Sequence, residues 1–125
     1  MEDSNFHQLL TLLKRIPAIK HEISHGIYQD NNWWIKLSID INHSLAWNVV
    51  QEFGHILNYI SLEERLPVVF YPVSAPPYMN GGPNEFLYWI IESKDPDFTP
   101  EKVKEWLEAR LPDPVDSSDE WEFEN

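Results

Sequence analysis

The run LPVVFYPVSAPPYMNGGPNEFLYWII, Leu66 to Ile91, decides how this chain is read, because it carries scarcely any charge and holds three backbone signals in succession. Val68-Val69-Phe70-Tyr71 is β-branched and aromatic, a composition that suits a pleated surface, and it predicts a strand. Pro72, Pro76 and Pro77 stop that strand from growing. Gly81-Gly82 suit a tight turn, and Pro83 suits the first turn of a helix, where its missing N–H is not needed. Phe86, Leu87, Trp89, Ile90 and Ile91 are then expected to form a largely buried helix.

On the N-terminal side of this run, Ala46, Val49, Val50, Phe53, Ile56, Leu57 and Ile60 follow the i, i+3, i+4, i+7 rule and predict a central helix over Ser44 to Ile60. Glu63-Glu64-Arg65 reads as the turn after it. Earlier still, Trp33, Ile35, Leu37, Ile39 and Ile41 alternate with Trp34, Lys36, Ser38, Asp40 and Asn42. Ile19, Ile23 and Ile27 alternate in the same way before Asp30-Asn31-Asn32, so a β-hairpin with one buried face is expected. Phe6, Leu9, Leu10, Leu12 and Leu13 predict a first helix from Asn5 to Arg15, with Ser4 or Asn5 as its cap and Pro17 as its end. On the C-terminal side, Thr99-Pro100 starts a last amphipathic helix carrying Val103, Trp106, Leu107 and Leu111.

The order αββαβαα describes an α+β domain over residues 1–112, with a small, mainly antiparallel sheet of about three strands and helices on one face. From Asp113 onward the chain is acidic and sparse in aliphatic residues, which predicts a disordered tail over 113–125. Among 125 residues there are 21 acidic and 9 basic, a formal charge of −12, and six of the acids lie in that tail without a basic residue. Such a charge repels phosphate backbones and anionic membranes, so direct nucleic-acid binding is not expected. Cysteine is absent, which removes disulfides and thiolate chemistry. The N-terminus, MEDSNFHQLL, is acidic where a signal peptide is basic, and no apolar run reaches the roughly 18 residues of a membrane span. The expectation is a soluble cytoplasmic protein.

One segment matches a catalytic motif literally. His21-Glu22-Ile23-Ser24-His25 is H-E-x-x-H, which on a helix sets two imidazoles on one face for zinc and leaves the glutamate to activate water. Here it falls in an alternating stretch, where the two histidines would stand about 13 Å apart along a strand. A metal-dependent hydrolase remains the rival reading, and a helix over Ala18 to Tyr28 would favour it. Glu52 and His55 are three apart on the central helix and read as a surface pair. Asp40, Asn42 and His43 read as turn and capping chemistry. Met79-Asn80-Gly81-Gly82-Pro83-Asn84 lacks the Lys-Ser/Thr of a phosphate loop. No catalytic residue, metal ligand or cofactor is assigned.

Binding features are easier to find. Trp33 and Trp34 are strand neighbours and must face opposite ways, so one lies outside the main core; Trp34 shares its face with Lys36, Ser38 and Asp40. Tyr78 is flanked by Pro77 and Met79, and Asn80 opens the glycine turn. The tail alternates acid and aromatic through Trp121 and Phe123, a pattern that fits a basic groove or a sheet edge. The binding residues expected are therefore Trp34, Asp40, Tyr78, Asn80, Trp121 and Phe123.

The motifs Asn32-Trp33-Trp34-Ile35-Lys36, Ser38-Ile39-Asp40-Ile41, Leu45-Ala46-Trp47-Asn48-Val49-Val50-Gln51-Glu52 and Tyr71-Pro72-Val73-Ser74, with Pro76 to Pro83, resemble those of a family of small bacterial proteins without assigned activity. The resemblance spans about Trp33 to Leu111 and implies a fold relative but no reaction. In size, acidity and tryptophan content the chain is also similar to bacterial toxin-immunity proteins, including those of contact-dependent inhibition systems. That similarity implies a protein-binding module that occludes a cognate toxin with a basic domain. A small-ligand binder with a pocket under the Pro76 to Pro83 crossing is a third expectation.

Overall fold

A computed structural model describes residues 2–74 and 87–122, so Tyr78, Asn80 and Phe123 lie outside the described residues, as does the Pro76 to Pro83 crossing. Helix α1 runs Glu2–Arg15, starting ahead of the expected cap. Its spacing turns Phe6, Leu9, Leu12 and Leu13 into the core and leaves Lys14 and Arg15 exposed near its negative end. Ala18, at φ 73°, then swings the chain back. Its carbonyl accepts from Asp40 N at 2.7 Å, and Lys20 N donates to Ser38 O at 2.9 Å, on either side of an isolated Ile19–Ile39 bridge.

The expected hairpin forms over a shorter length, with β1 at Ser24–Ile27 and β2 at Trp33–Leu37 in antiparallel register. Its tip is closed by Tyr28 N donating to Asn32 O at 2.7 Å, and Asn31 takes the left-handed conformation at φ 71° that asparagine tolerates. The Asp30 carboxylate accepts from Asn32 N at 3.1 Å and completes the turn.

The central helix begins as α2, Ala46–Gly54, widens into a π turn over His55–Ile60, and continues as α3, Ser61–Glu64. Every junction residue stays in the right-handed helical region, so the three pieces form one rod that runs past the expected end at Ile60. Glu63 and Glu64 belong to it, and only Arg65, at φ 60°, makes the turn.

Strand β3, Val68–Ser74, stands where the sequence predicts it. The helix expected to run through Ile91 is, in its described part, a fourth strand instead, β4, Leu87–Ser93. It enters the middle of the sheet, in the order β1-β2-β4-β3, with antiparallel neighbours on both sides. A short unbroken apolar run has no period of its own, and β2 and β3 offer it backbone partners on both edges. Among the described residues the sheet therefore has four strands, and the second-to-last element of the expected αββαβαα order is a strand. Helix α4, Pro100–Glu108, follows as expected; Thr99 Oγ1 caps it by accepting from Lys102 N at 3.3 Å.

The architecture is α+β, with helices over one face of an antiparallel sheet. Trp33, Ile35, Leu37, Phe70, Trp89 and Ile91 project from that face against Phe6, Leu13, Val49, Phe53, Leu57, Val103 and Leu107. Each such side chain contributes about 1.5–3 kcal/mol by leaving water. Trp33 Nε1 donates to Phe98 O at 2.9 Å, which settles its polar edge.

Residues 113–122, read as part of a disordered tail, pack on this body. Val115 and Trp121 are buried, and the Trp121 indole donates to Val115 O at 2.8 Å. The Asn48 amide donates to Trp121 O at 2.6 Å, and Arg15 meets Asp116 at 3.5 Å. Composition averages over the segment, whereas two well-placed apolar residues suffice to anchor it. Among the described residues no helix is long and apolar enough to cross a membrane.

Candidate functional site

The alternation of β2 sends Trp33 inward and Trp34 outward, as expected. Trp34 lies half-buried across Gly26, its register partner on β1. A Cβ at Gly26 would come within 2.6 Å of the Trp34 ring, so the close approach requires glycine there. On its other side Trp34 is paired with Glu92 of β4. Glu92 Oε1 accepts from the Tyr71 hydroxyl at 2.8 Å. Burial, followed by that hydrogen bond and the Glu92 charge, pushes the Tyr71 phenol up to about 12. Burial also raises Tyr28, with Glu92 as the second cause. The outer face of the sheet thus holds Trp34 in an aromatic and acidic setting.

The other expected positions are placed differently. Asp40 is half-exposed, and its Oδ1 accepts from Asn42 N at 3.1 Å; His43 Nδ1 accepts from Leu45 N at 3.0 Å. Both are turn and capping contacts, away from Trp34. Trp121 has its indole in the core at 0% exposure, so it acts inward as an anchor. Its exposed neighbours Asp119, Glu120 and Glu122 are consequently held near the start of α2.

The H-E-x-x-H segment is not helical. His21 is exposed on a bend and Glu22 is exposed in the irregular stretch after it, while His25 lies on β1 with its ring 4.4 Å from that of Phe6. Helical spacing, the geometry that would converge the two imidazoles, does not occur there. Among the described residues no group of three or more His, Asp or Glu side chains could hold a metal ion.

Among the described residues the most exposed large apolar side chains lie on the helical rod, and none of them is among the expected binding residues. Trp47 is 57% exposed, Tyr59 58% and Leu62 75%. Tyr59 stacks on His55 at 5.6 Å with an interplanar angle of 14°, so the expected Glu52–His55 pair is not the contact that organises this face. An unbroken α-helix, at about 100° per residue, would set Tyr59 about 120° round from Trp47. The π turn advances each residue by less and brings Trp47, Tyr59 and Leu62 toward one side. A signal was available: all three fall outside the Ala46 to Ile60 apolar stripe, where a large apolar side chain has no core to enter.

Comparison with protein-family models, with curated proteins and with solved structures found no match to this chain.

Proposed function

We propose that this chain is a non-enzymatic protein-binding module that works from the exposed side of its helical rod, and that its most concrete role is to bind and neutralise a cognate bacterial toxin. The observation that carries the reading is the set Trp47, Tyr59 and Leu62, three large apolar side chains given to solvent on one element. A stable fold gains nothing from exposing them, whereas aromatic anchors of this kind dominate protein interfaces. At about 1.5 Å per residue, and less through the π turn, Trp47 and Leu62 stand about 20 Å apart along the rod, which fits within one side of an interface of ordinary size.

Charge supports the same reading and suggests the partner's chemistry. Glu63 and Glu64 are exposed at one end of the rod, and Asp119, Glu120 and Glu122 are exposed beside the other, where Asn48 holds Trp121. An acidic rim around apolar anchors suits a basic protein surface such as a nuclease cleft, with charge speeding encounter and the anchors lengthening the complex's life. The resemblance to immunity proteins adds the idea of a toxin and nothing about which one.

The test is affinity capture from the source cell, followed by kinetics with the purified partner. Trp47→Ala and Leu62→Ala are expected to speed dissociation by more than about tenfold, while added salt slows association. Failure to find a macromolecular partner, or a partner indifferent to both substitutions, would overturn the proposal.

A further inference from the structure

On the outer face of the sheet, in the opposite layer from the helical rod, a cleft of about 400 Å³ is lined by Lys20, Glu22, Ile23, Ser24, Lys36, Ser38 and Tyr88. From its chemistry we infer that this cleft is a binding site for a single carboxylate group.

Backbone pairing, and not the reach of long side chains alone, assembles the cleft. Lys36 and Ser38 are two apart along the β2 line and so share a face. Register sets Ser24 opposite Lys36, and the bond from Lys20 N to Ser38 O at 2.9 Å brings Lys20 alongside. The Lys36 ammonium stands 4.7 Å from the centre of the Tyr88 ring, a cation–π contact that holds its charge at the cleft. Among the described residues neither lysine forms an ion pair, and the Ser24 and Ser38 hydroxyls make no hydrogen bond. The cleft therefore offers two cations and two hydroxyl donors that, among the described residues, meet no carboxylate.

Other lysines, such as Lys14 and Lys94, also lack an ion pair among the described residues, so the site is marked by the convergence of two ammonium groups and two hydroxyls in one cleft. Glu22 sets the charge of the ligand. With two lysines and one glutamate the lining carries a net charge of +1, which matches a monoanion and disfavours a dianionic phosphate. A carboxylate takes the ammonium groups on its two oxygens and still accepts from a serine hydroxyl. It can come from a free small acid or from the C-terminus of a peptide. The site uses none of the residues of the helical face, so it stands or falls separately from the protein-binding role.

The experiment is a nuclear magnetic resonance titration of the full chain with sodium acetate, with a short N-acetylated peptide of uncharged side chains ending in a free carboxylate, with the same peptide amidated, and with inorganic phosphate. Saturable shifts are expected at the Ser24, Lys36 and Ser38 amides with acetate and with the free-acid peptide, and none with the amidated one. The peptide binding tighter than acetate by about tenfold or more identifies a C-terminus as the source, and equal affinity identifies a small acid. Lys36→Met is expected to weaken binding by about fivefold, and Glu22→Gln to raise phosphate to at least the affinity of acetate. Both positions are outside the core, and an unchanged melting temperature verifies the fold. Shifts that stay linear in concentration, or that persist unchanged in Lys36→Met, overturn the site.

Discussion

Asn58, from the π turn, closes the outer edge of β3 at Phe70 in both directions: its Nδ2 donates to Phe70 O at 2.7 Å, and Phe70 N donates to its Oδ1 at 2.8 Å. One amide side chain thus takes the place of a neighbouring strand. With Pro72 two residues on, which has no N–H to offer, the edge is blunted against pairing with another chain. Asn58→Ala is expected to cost about 1–2 kcal/mol and to promote association through the uncovered edge. Urea denaturation together with light scattering checks this. A variant that is monomeric and equally stable would show the two bonds to be incidental.

Gly26 and Trp34 form a second coupled pair. Gly26→Ala sets a Cβ into the space of the indole, 2.6 Å from its nearest carbon, so the ring must shift or lift from β1. The expected loss is about 1–2 kcal/mol with a red-shifted tryptophan emission. In a Trp34→Ala background the same change should be close to neutral. A cycle that shows no coupling would mean that the ring moves without cost.

Trp121 anchors the C-terminal segment to the body of the fold. Trp121→Ala removes a wholly buried indole and its bond to Val115 O, with an expected loss of about 3–5 kcal/mol. Limited proteolysis should then cut between Pro112 and Trp121, where the parent chain resists. Equal cleavage of both chains would count against the packed arrangement. Glu122→Gln, on an exposed neighbour, is expected to change stability by less than about 0.5 kcal/mol.

Tyr71 should ionise late. Its phenol is pushed up to about 12, first by burial and then by the Glu92 hydrogen bond and charge, against an ordinary value of 10.0. With the folded value above the unfolded one, the unfolded chain loses this proton first as pH rises. The stability associated with the neutral phenol is therefore full below pH 10 and falls between about 10 and 12. Ultraviolet titration of the phenolates should show a late component that moves down in Glu92→Gln. A single class of tyrosines at the ordinary value, or a component unmoved by that substitution, contradicts the assignment.

Much of the architecture is legible in the residues. The α1 stripe, the opposite facing of Trp33 and Trp34, the Thr99-Pro100 start and the turn role of Asp40 all depend on periodicity or on chemistry within a few residues. Less of the binding surface is legible. Trp47, Tyr59 and Leu62 are apolar by type but exposed by position, and their common side depends on a π turn that helical periodicity does not announce.

The α+β class, the first hairpin, the central and last helices and the acidic surface follow from the residues alone, because local sterics and spacing act over less than about ten residues. Leu87–Ser93 becomes a strand through long-range pairing, since its backbone bonds come from β2 and β3, which are distant along the chain. The burial of Trp121 is of the same kind, for its partners Val115 and Asn48 come together only once the body has formed.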